Sequence, residues 1–356
     1  CSKDELEVPV YTSKGTYDSG VLVLNEGKFT APNASISFIS FDSNTVQNNI
    51  FSGVNPSSIL GVTAQSIGIN GDLAYIVLNG SNKIQIVNRF TMVNVGSITT
   101  GLNNPRYTVF ANGKGYVTNW GDTGNKTDDF VAILNLSNNT VSSIISVVEG
   151  PEQIVNFNGN IYVSHKGGYG FGNSISVINT STDAVTNTIS VGDLPNTMVV
   201  NNGALWVMCE GIPSPYNPVT DPAETGGKLL KISLTTNSIT DTFSFGTTSH
   251  PSNLTLYNDK LYYTLGSSVF GMALTPVAPA TSIALPTSSL FNTNAISLYG
   301  FAIKTNKIYV ADAKDFDSNG TVTIYSLGEI SGSPILGSKL NSHQVGVSPN
   351  GFYFNQ

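Results

Sequence analysis

One short pattern recurs along this chain and restricts what it can fold into. NPRYTVFANG from Asn104, GPEQIVNFNG from Gly150, LPNTMVVNNG from Leu194 and HPSNLTLYND from His250 all share it. Each has one residue, a proline, a run of mostly apolar residues and an Asn-centred turn. The chain's last residues, SPNGFYFNQ, repeat it, and TAQSIGINGD from Thr63 and SLYGFAIKTN from Ser297 repeat it without the proline. Proline suits the first residue of a strand, where no N–H is needed for pairing. The Asn-Gly and Asn-Asp pairs supply the positive φ of tight hairpins.

A second strand follows: LAYIVLN, KGYVTNW, NIYVSHK, ALWVMCE, KLYYTLG or KIYVADA. A third runs into a polar turn (ISFISFDSNTV, VAILNLSNNTV, ISVINTSTDAV, LLKISLTTNSI), and a fourth comes after it, such as SSIISV or TNTISV. Successive prolines lie 46, 44 and 56 residues apart, near the ~40–50 residues of a propeller blade. The expected fold is all-β, a seven-bladed β-propeller of four-stranded blades. GVLVLNEG, residues 20–27, reads as a second strand with no first strand before it. The C-terminal SPNGFYFNQ supplies that strand, so the first blade is built from both ends of the chain and the ring has no open edge. The propeller is assigned to residues 20–356 and a tether to residues 1–19.

Charged residues make up 11% of the chain, against roughly 25% in ordinary domains. Asn, Ser, Thr and Gly take their place, which suits turns and β-surfaces. The formal charge is −7 and no basic run exists, so a phosphate-tracking nucleic-acid surface is not expected. No apolar stretch approaches the roughly 18 residues of a membrane-spanning helix. Cys209 follows an apolar run and reads as a buried thiol. Cys1, followed by Ser and the polar stretch KDELEVP, reads as the lipid-bearing cysteine of a processed lipoprotein.

In such blades the connections between strands two and three share a face with those entering the next blade. Here these connections are long: NEGKFTAPN, NWGDTGNKTDDF, HKGGYGFGNS, CEGIPSPYNPVTDPAETGG and ADAKDFDSNGT. They carry Phe29, Trp120, Tyr169, Phe171, Tyr216 and Phe316, an aromatic rim suited to a large, partly flat ligand or a protein. HKGGYGFGNS is followed by a strand, not the helix N-terminus a phosphate loop needs. DFDSNG, from Asp315, copies the opening of a calcium loop, but Thr323 and Ser326 fill its ninth and twelfth positions, so a hairpin turn is expected.

Catalysis has little to build on. His165, His250 and His343 show no metal-ligand spacing, and G-x-S-x-G is absent. The expectation is a non-enzymatic protein without a cofactor. Glu152, Glu210, Asp312, Arg106 and Lys314 are expected near the aromatic face, where they can bind polar ligand groups. The expected contacts are Trp120, Tyr169, Phe171, Tyr216 and Phe316 for ring surfaces. Arg106, Tyr107, Asn119, Glu152, His165, Glu210 and Asp312 are the expected polar contacts.

GYVTNWGD, with its variants IYVSHKG and IYVADAK, resembles the YVTN family of seven-bladed propellers. VLVLNEGKF, AQSIGINGDLAYIVLNGSNKIQIVN, LPNTMVVNNGALWVMCEG, YGFAIKTNKIYVADAKDF and the final PNGFYF are together similar to the BtuG-like surface-lipoprotein propellers of Bacteroidota. That resemblance implies capture of cobalamin or another corrinoid and its delivery to a TonB-dependent outer-membrane transporter. It also implies an outer-membrane, cell-surface location through lipid on Cys1. An accessory lipoprotein that docks a partner protein without a small molecule is the alternative; it predicts a flat patch with no pocket. A propeller hydrolase or lyase requires convergent carboxylates or a metal at the channel mouth.

Overall fold

Seven four-stranded antiparallel sheets make up the computed structural model, which describes residues 12–215, 221–276, 281–328, 332 and 334–355. Cys1 and Tyr216 lie outside the described residues. Within each blade the strands run a to d from the ring's axis outward. The a strands are Pro349–Asn355, Ala64–Asn70, Pro105–Ala111, Pro151–Phe157, Pro195–Asn201, Ser252–Tyr257 and Leu298–Lys304, for blades one to seven. Each packs against the a strand of the next blade, and Pro349–Asn355 touches both Leu298–Lys304 and Ala64–Asn70, which closes the circle.

Burial grades outward. The b strands Gly20–Asn25 and Ala204–Cys209 are buried along their whole length, whereas the d strand Ala184–Ser190 is almost wholly exposed. A b strand has neighbouring blades on both faces, so it reads as a continuous apolar run and not as an alternation. Cys209 lies in such a strand, and burial pushes its thiol up to about 12, which makes it a packing residue.

The tyrosine at the third position of strand b repeats as Tyr75, Tyr116, Tyr162, Tyr262 and Tyr309, all fully buried. A buried phenol needs a hydrogen-bond partner, and two of them find it in the next blade. Tyr116 Oη donates to Asp183 Oδ1 at 2.7 Å and Tyr162 Oη to Asn237 Oδ1 at 2.9 Å. Asp183 and Asn237 sit at positive φ in c–d turns, on the face opposite the long b–c loops. Lys114 joins the first contact, at 2.6 Å from Asp183 Oδ2.

The closing strand pairs with Gly20–Asn25, setting Phe354 opposite Val21 and Phe352 opposite Val23. Tyr353 Oη accepts the Ile67 N–H at 2.9 Å, and Asn355 Nδ2 donates to the backbone oxygens of Tyr17 and Arg89. Tyr17 is buried and its N–H bonds to Phe90 O. Residues just before the first strand therefore already lie against the ring. One five-residue α-helix, Ile50–Val54, is present among the described residues.

Candidate functional site

Each a strand is irregular at its entry. Pro105 pairs with Asn119 and Thr108 with Val117, so Arg106 and Tyr107 together oppose Thr118. The same shift follows Pro151, Pro195, Ala64, Leu298 and Pro349, and comes one residue later in blade six, after Ser252. A bulge bends the strand and re-aims its side chains. The b strand supplies the hydroxyl that satisfies it: Thr118 Oγ1 accepts the Tyr107 N–H at 3.0 Å, and Ser164 Oγ accepts that of Gln153 at 3.1 Å. Thr118 also donates to Glu152 O in the next blade, at 2.8 Å.

Seven bulges aimed inward line a funnel of about 370 Å³ at the mouth of the ring, to which every blade contributes. Its walls carry Gln65, Arg106, Tyr107, Glu152, Gln153, Lys166, Asn196, Asn253, Tyr299 and Asn350, with Phe301, Phe352 and Tyr353. Arg106 and Glu152 form a bidentate pair, Nε to Oε2 at 2.9 Å and Nη2 to Oε1 at 2.8 Å. The two side chains are only 13% and 6% exposed, so each charge depends on the other. Burial alone lowers the Arg106 pKa, but the charge and hydrogen bonds of Glu152 outweigh it and the net shift is upward. The guanidinium also lies 3.8 Å from the Trp120 ring centroid, a cation–π contact. Lys166 pairs with Glu210 at 2.8 Å, and Asn196 donates to the same carboxylate.

Burial, with a contribution from Glu152, pushes Tyr107 up to about 12, and burial with Glu26 raises Tyr299 as well. Both are phenols at neutral pH. Tyr299 donates to Glu26 Oε2 at 2.7 Å, and burial raises the pKa of Glu26.

Aromatic side chains gather in two sectors of the rim. Trp120 and Tyr169 meet edge to face at 5.5 Å, near blades three and four, and exposed Phe171 follows on the same loop as Tyr169. Across the ring, Phe316 meets Tyr299 edge to face at 5.1 Å, with exposed Phe29 carried by the neighbouring blade-one loop. Lys28 and Asp317 tie those last two loops at 2.6 Å. Gly150 explains how the Tyr169 loop is held. Its φ is +68°, and a Cβ there would stand 1.9 Å from Gly168 N, so the two backbones touch where only glycine fits.

Three residues expected to contact a ligand are engaged elsewhere. Asn119 is fully buried, donates to Val117 O and accepts the Asn103 N–H, which fixes the loop behind it. Asp312 spends its carboxylate on the N–H groups of Ile296, Ser297 and Lys314. His165 is 1% exposed with Nε2 on Ser176 Oγ at 2.8 Å. All three end b strands, whose last side chains turn back between sheets. Lys314 bonds to Asn319 O, away from the funnel wall. Asp315 accepts the N–H groups of Asp317 and Ser318, which makes DFDSNG the expected turn.

His165 and Asp129 flank the 147–150 segment and titrate in opposite senses. Asp129 is 2% exposed, accepts the Gly150 N–H, and is pushed by burial up to about 6. His165 is pushed by burial down to about 4. Stability from protonated Asp129 is fully present below about pH 4 and lost as pH rises through about 6. Stability from neutral His165 is fully present above about pH 6.5 and lost as pH falls through about 4. The two oppose each other across that window. Asp129→Asn therefore unmasks His165: relative to the wild type, the variant loses about 2–3 kcal/mol on acidification from pH 6.5 to 4. Urea melts of both proteins at several pH values check this, and parallel profiles refute it.

The family model described as a domain of unknown function, DUF5074, matches residues 19–308. The chain belongs to the DUF5074 family. No curated protein matches it. Among solved structures, this DUF5074 chain is similar to a functionally unknown protein from Desulfotomaculum acetoxidans, at 13% identity and TM-score 0.64 over 94% of this chain and 97% of that one. It is also similar to Kuenenia stuttgartiensis hydrazine synthase, at 14% identity and TM-score 0.61 over 83% and 92%. Moraxella catarrhalis BamB matches at 14% identity and TM-score 0.51 over 95% and 86%. These likenesses establish the propeller fold that DUF5074 takes here. Fold alone does not assign its chemistry.

Proposed function

We propose that this protein is a non-enzymatic ligand-binding protein that captures a corrinoid on the funnel face. The observation that carries the reading is the funnel itself, polar within and flanked on opposite sides by aromatic sectors. At about 370 Å³ it is smaller than a corrinoid. The flat ring lies across the mouth in this reading, its edges meeting Trp120, Tyr169 and Phe316, while peripheral polar groups enter the funnel. Pre-formed concave sites with a few fixed polar groups are the usual design for small-molecule recognition. A protein-docking platform has no need of such a cavity.

The carboxylates near the mouth support binding over acid–base chemistry, because each has a partner: Glu152 has Arg106, Glu210 has Lys166 and Glu26 has Tyr299. A cell-surface location and delivery to a TonB-dependent transporter belong to the same proposal and rest on the sequence resemblance. Calorimetric titration with cyanocobalamin tests it. Tight one-to-one binding, weakened by Trp120→Ala, is the expected result. No heat at high micromolar ligand removes the corrinoid and turns the search to proteins that copurify.

A further inference from the structure

We propose that the funnel selects an uncharged carboxamide group and rejects the corresponding carboxylate. This deepens the reading above and rests on it only for the location of the site.

Three observations carry it. First, five of the side chains that the inner strands deliver to the wall are themselves amides: Gln65, Gln153, Asn196, Asn253 and Asn350. Second, both cations in the wall already hold a carboxylate, Arg106 with Glu152 and Lys166 with Glu210. An incoming anion must displace one of those partners or lie beside it, and displacement leaves a buried carboxylate unpaired. Third, one buried acceptor has nothing to accept. Asn350 Nδ2 donates to Ala64 O at 2.9 Å and to Gln65 O at 3.3 Å. Two carbonyls at that end fix which end is nitrogen, so the other end is Oδ1, buried and without a donor among the described residues.

Asn350 Oδ1 is shut off from the funnel as it stands, so a ligand N–H that completes this wall meets it once the side chain turns outward. Its oxygen then lies beside the Arg106 guanidinium, which bonds Glu152 through Nε and Nη2. A primary amide carries both functions in one planar group. A carboxylate only accepts: it leaves Asn350 unsatisfied and sets a second negative charge near Glu152. Sites that hydrogen-bond a particular group discriminate strongly against analogues lacking it, because their own buried groups stay unpaired.

Malonamide and malonate are matched probes, with the same heavy-atom skeleton and amide against carboxylate ends. The readout is Trp120 fluorescence, since that ring stacks on Arg106, whereas Trp206 is 2% exposed in another cluster. Titrations of the wild-type protein at constant ionic strength are expected to show saturable millimolar binding of malonamide, with malonate at least about tenfold weaker. Trp120→Phe removes the signal. Glu152→Gln, which frees the Arg106 guanidinium, is expected to narrow or reverse the preference. Malonate binding as tightly as malonamide, or no saturable malonamide response, overturns the proposal. Neither result depends on cyanocobalamin: amide selectivity without corrinoid binding leaves this inference standing and refutes the corrinoid, while corrinoid binding without amide selectivity does the reverse.

Discussion

Deletion of residues 349–356 abolishes the folded ring: the truncated protein shows no cooperative thermal transition by circular dichroism and elutes as aggregate on gel filtration. The deletion removes more than a tail. It strips the inner partner from Gly20–Asn25, leaving six residues of fully buried strand with an open edge at the axis. Such edges pair with other chains. It also removes Phe352 and Phe354, which pack on Tyr309 at 5.8 and 5.4 Å, and the Tyr353 and Asn355 hydrogen bonds to blade two. That loss is of the order of a whole domain's stability, about 5–15 kcal/mol. A synthetic peptide covering the missing strand is expected to restore part of the transition. A truncated protein that melts cooperatively within about 5 °C of the full chain defeats the claim that this strand closes the circle.

Arg106→Ala is the second large effect, a loss of about 3–5 kcal/mol read as a lower urea midpoint. Glu152 is 4% exposed and keeps no cation once the guanidinium is gone. The cost is that of an orphaned buried charge, not of the ion pair's own strength. Replacing both partners, as in Arg106→Met with Glu152→Leu, is therefore expected to recover most of the stability while leaving the mouth without its polar centre. A single-variant cost below about 1 kcal/mol shows instead that water reaches Glu152 and the pair is effectively on the surface.

The scaffold was open to reading because propeller blades advertise themselves locally. An apolar run, preceded by proline in five of seven copies and closed by an Asn turn, marks the a strands, and a buried Tyr marks five of the b strands, so the closure by Pro349–Asn355 followed from a missing partner for Gly20–Asn25. The site was harder for a physical reason. Loop aromatics such as Tyr169, Phe171 and Phe316 are visible as departures from short turns, and the structure places them around the mouth. Asn119, His165 and Asp312 end b strands next to those loops, and whether such a side chain faces outward or turns inward depends on sheet packing that spacing does not encode. The funnel wall itself was in plain view at one register. The residue after the strand-opening proline or its equivalent reads Gln65, Arg106, Glu152, Asn196, Tyr299 and Asn350, with Asn253 one residue later in blade six, polar in every copy of an otherwise apolar pattern. The hydroxyl of Thr118 or Ser164 at the fifth b position was the accompanying mark of a bulge.

The phenolic and charged ties between blades have a consequence of their own. Tyr116 and Lys114 on Asp183, Tyr162 on Asn237, and Lys307 on Ser43 all fasten the c–d turns, on the side away from the funnel. At the other end of the same strands, Arg106–Glu152, Lys166–Glu210 and Tyr299–Glu26 also join neighbouring blades. Substitutions at the mouth leave the c–d fasteners in place, so a handful of entry residues can be rewritten with no new architecture required.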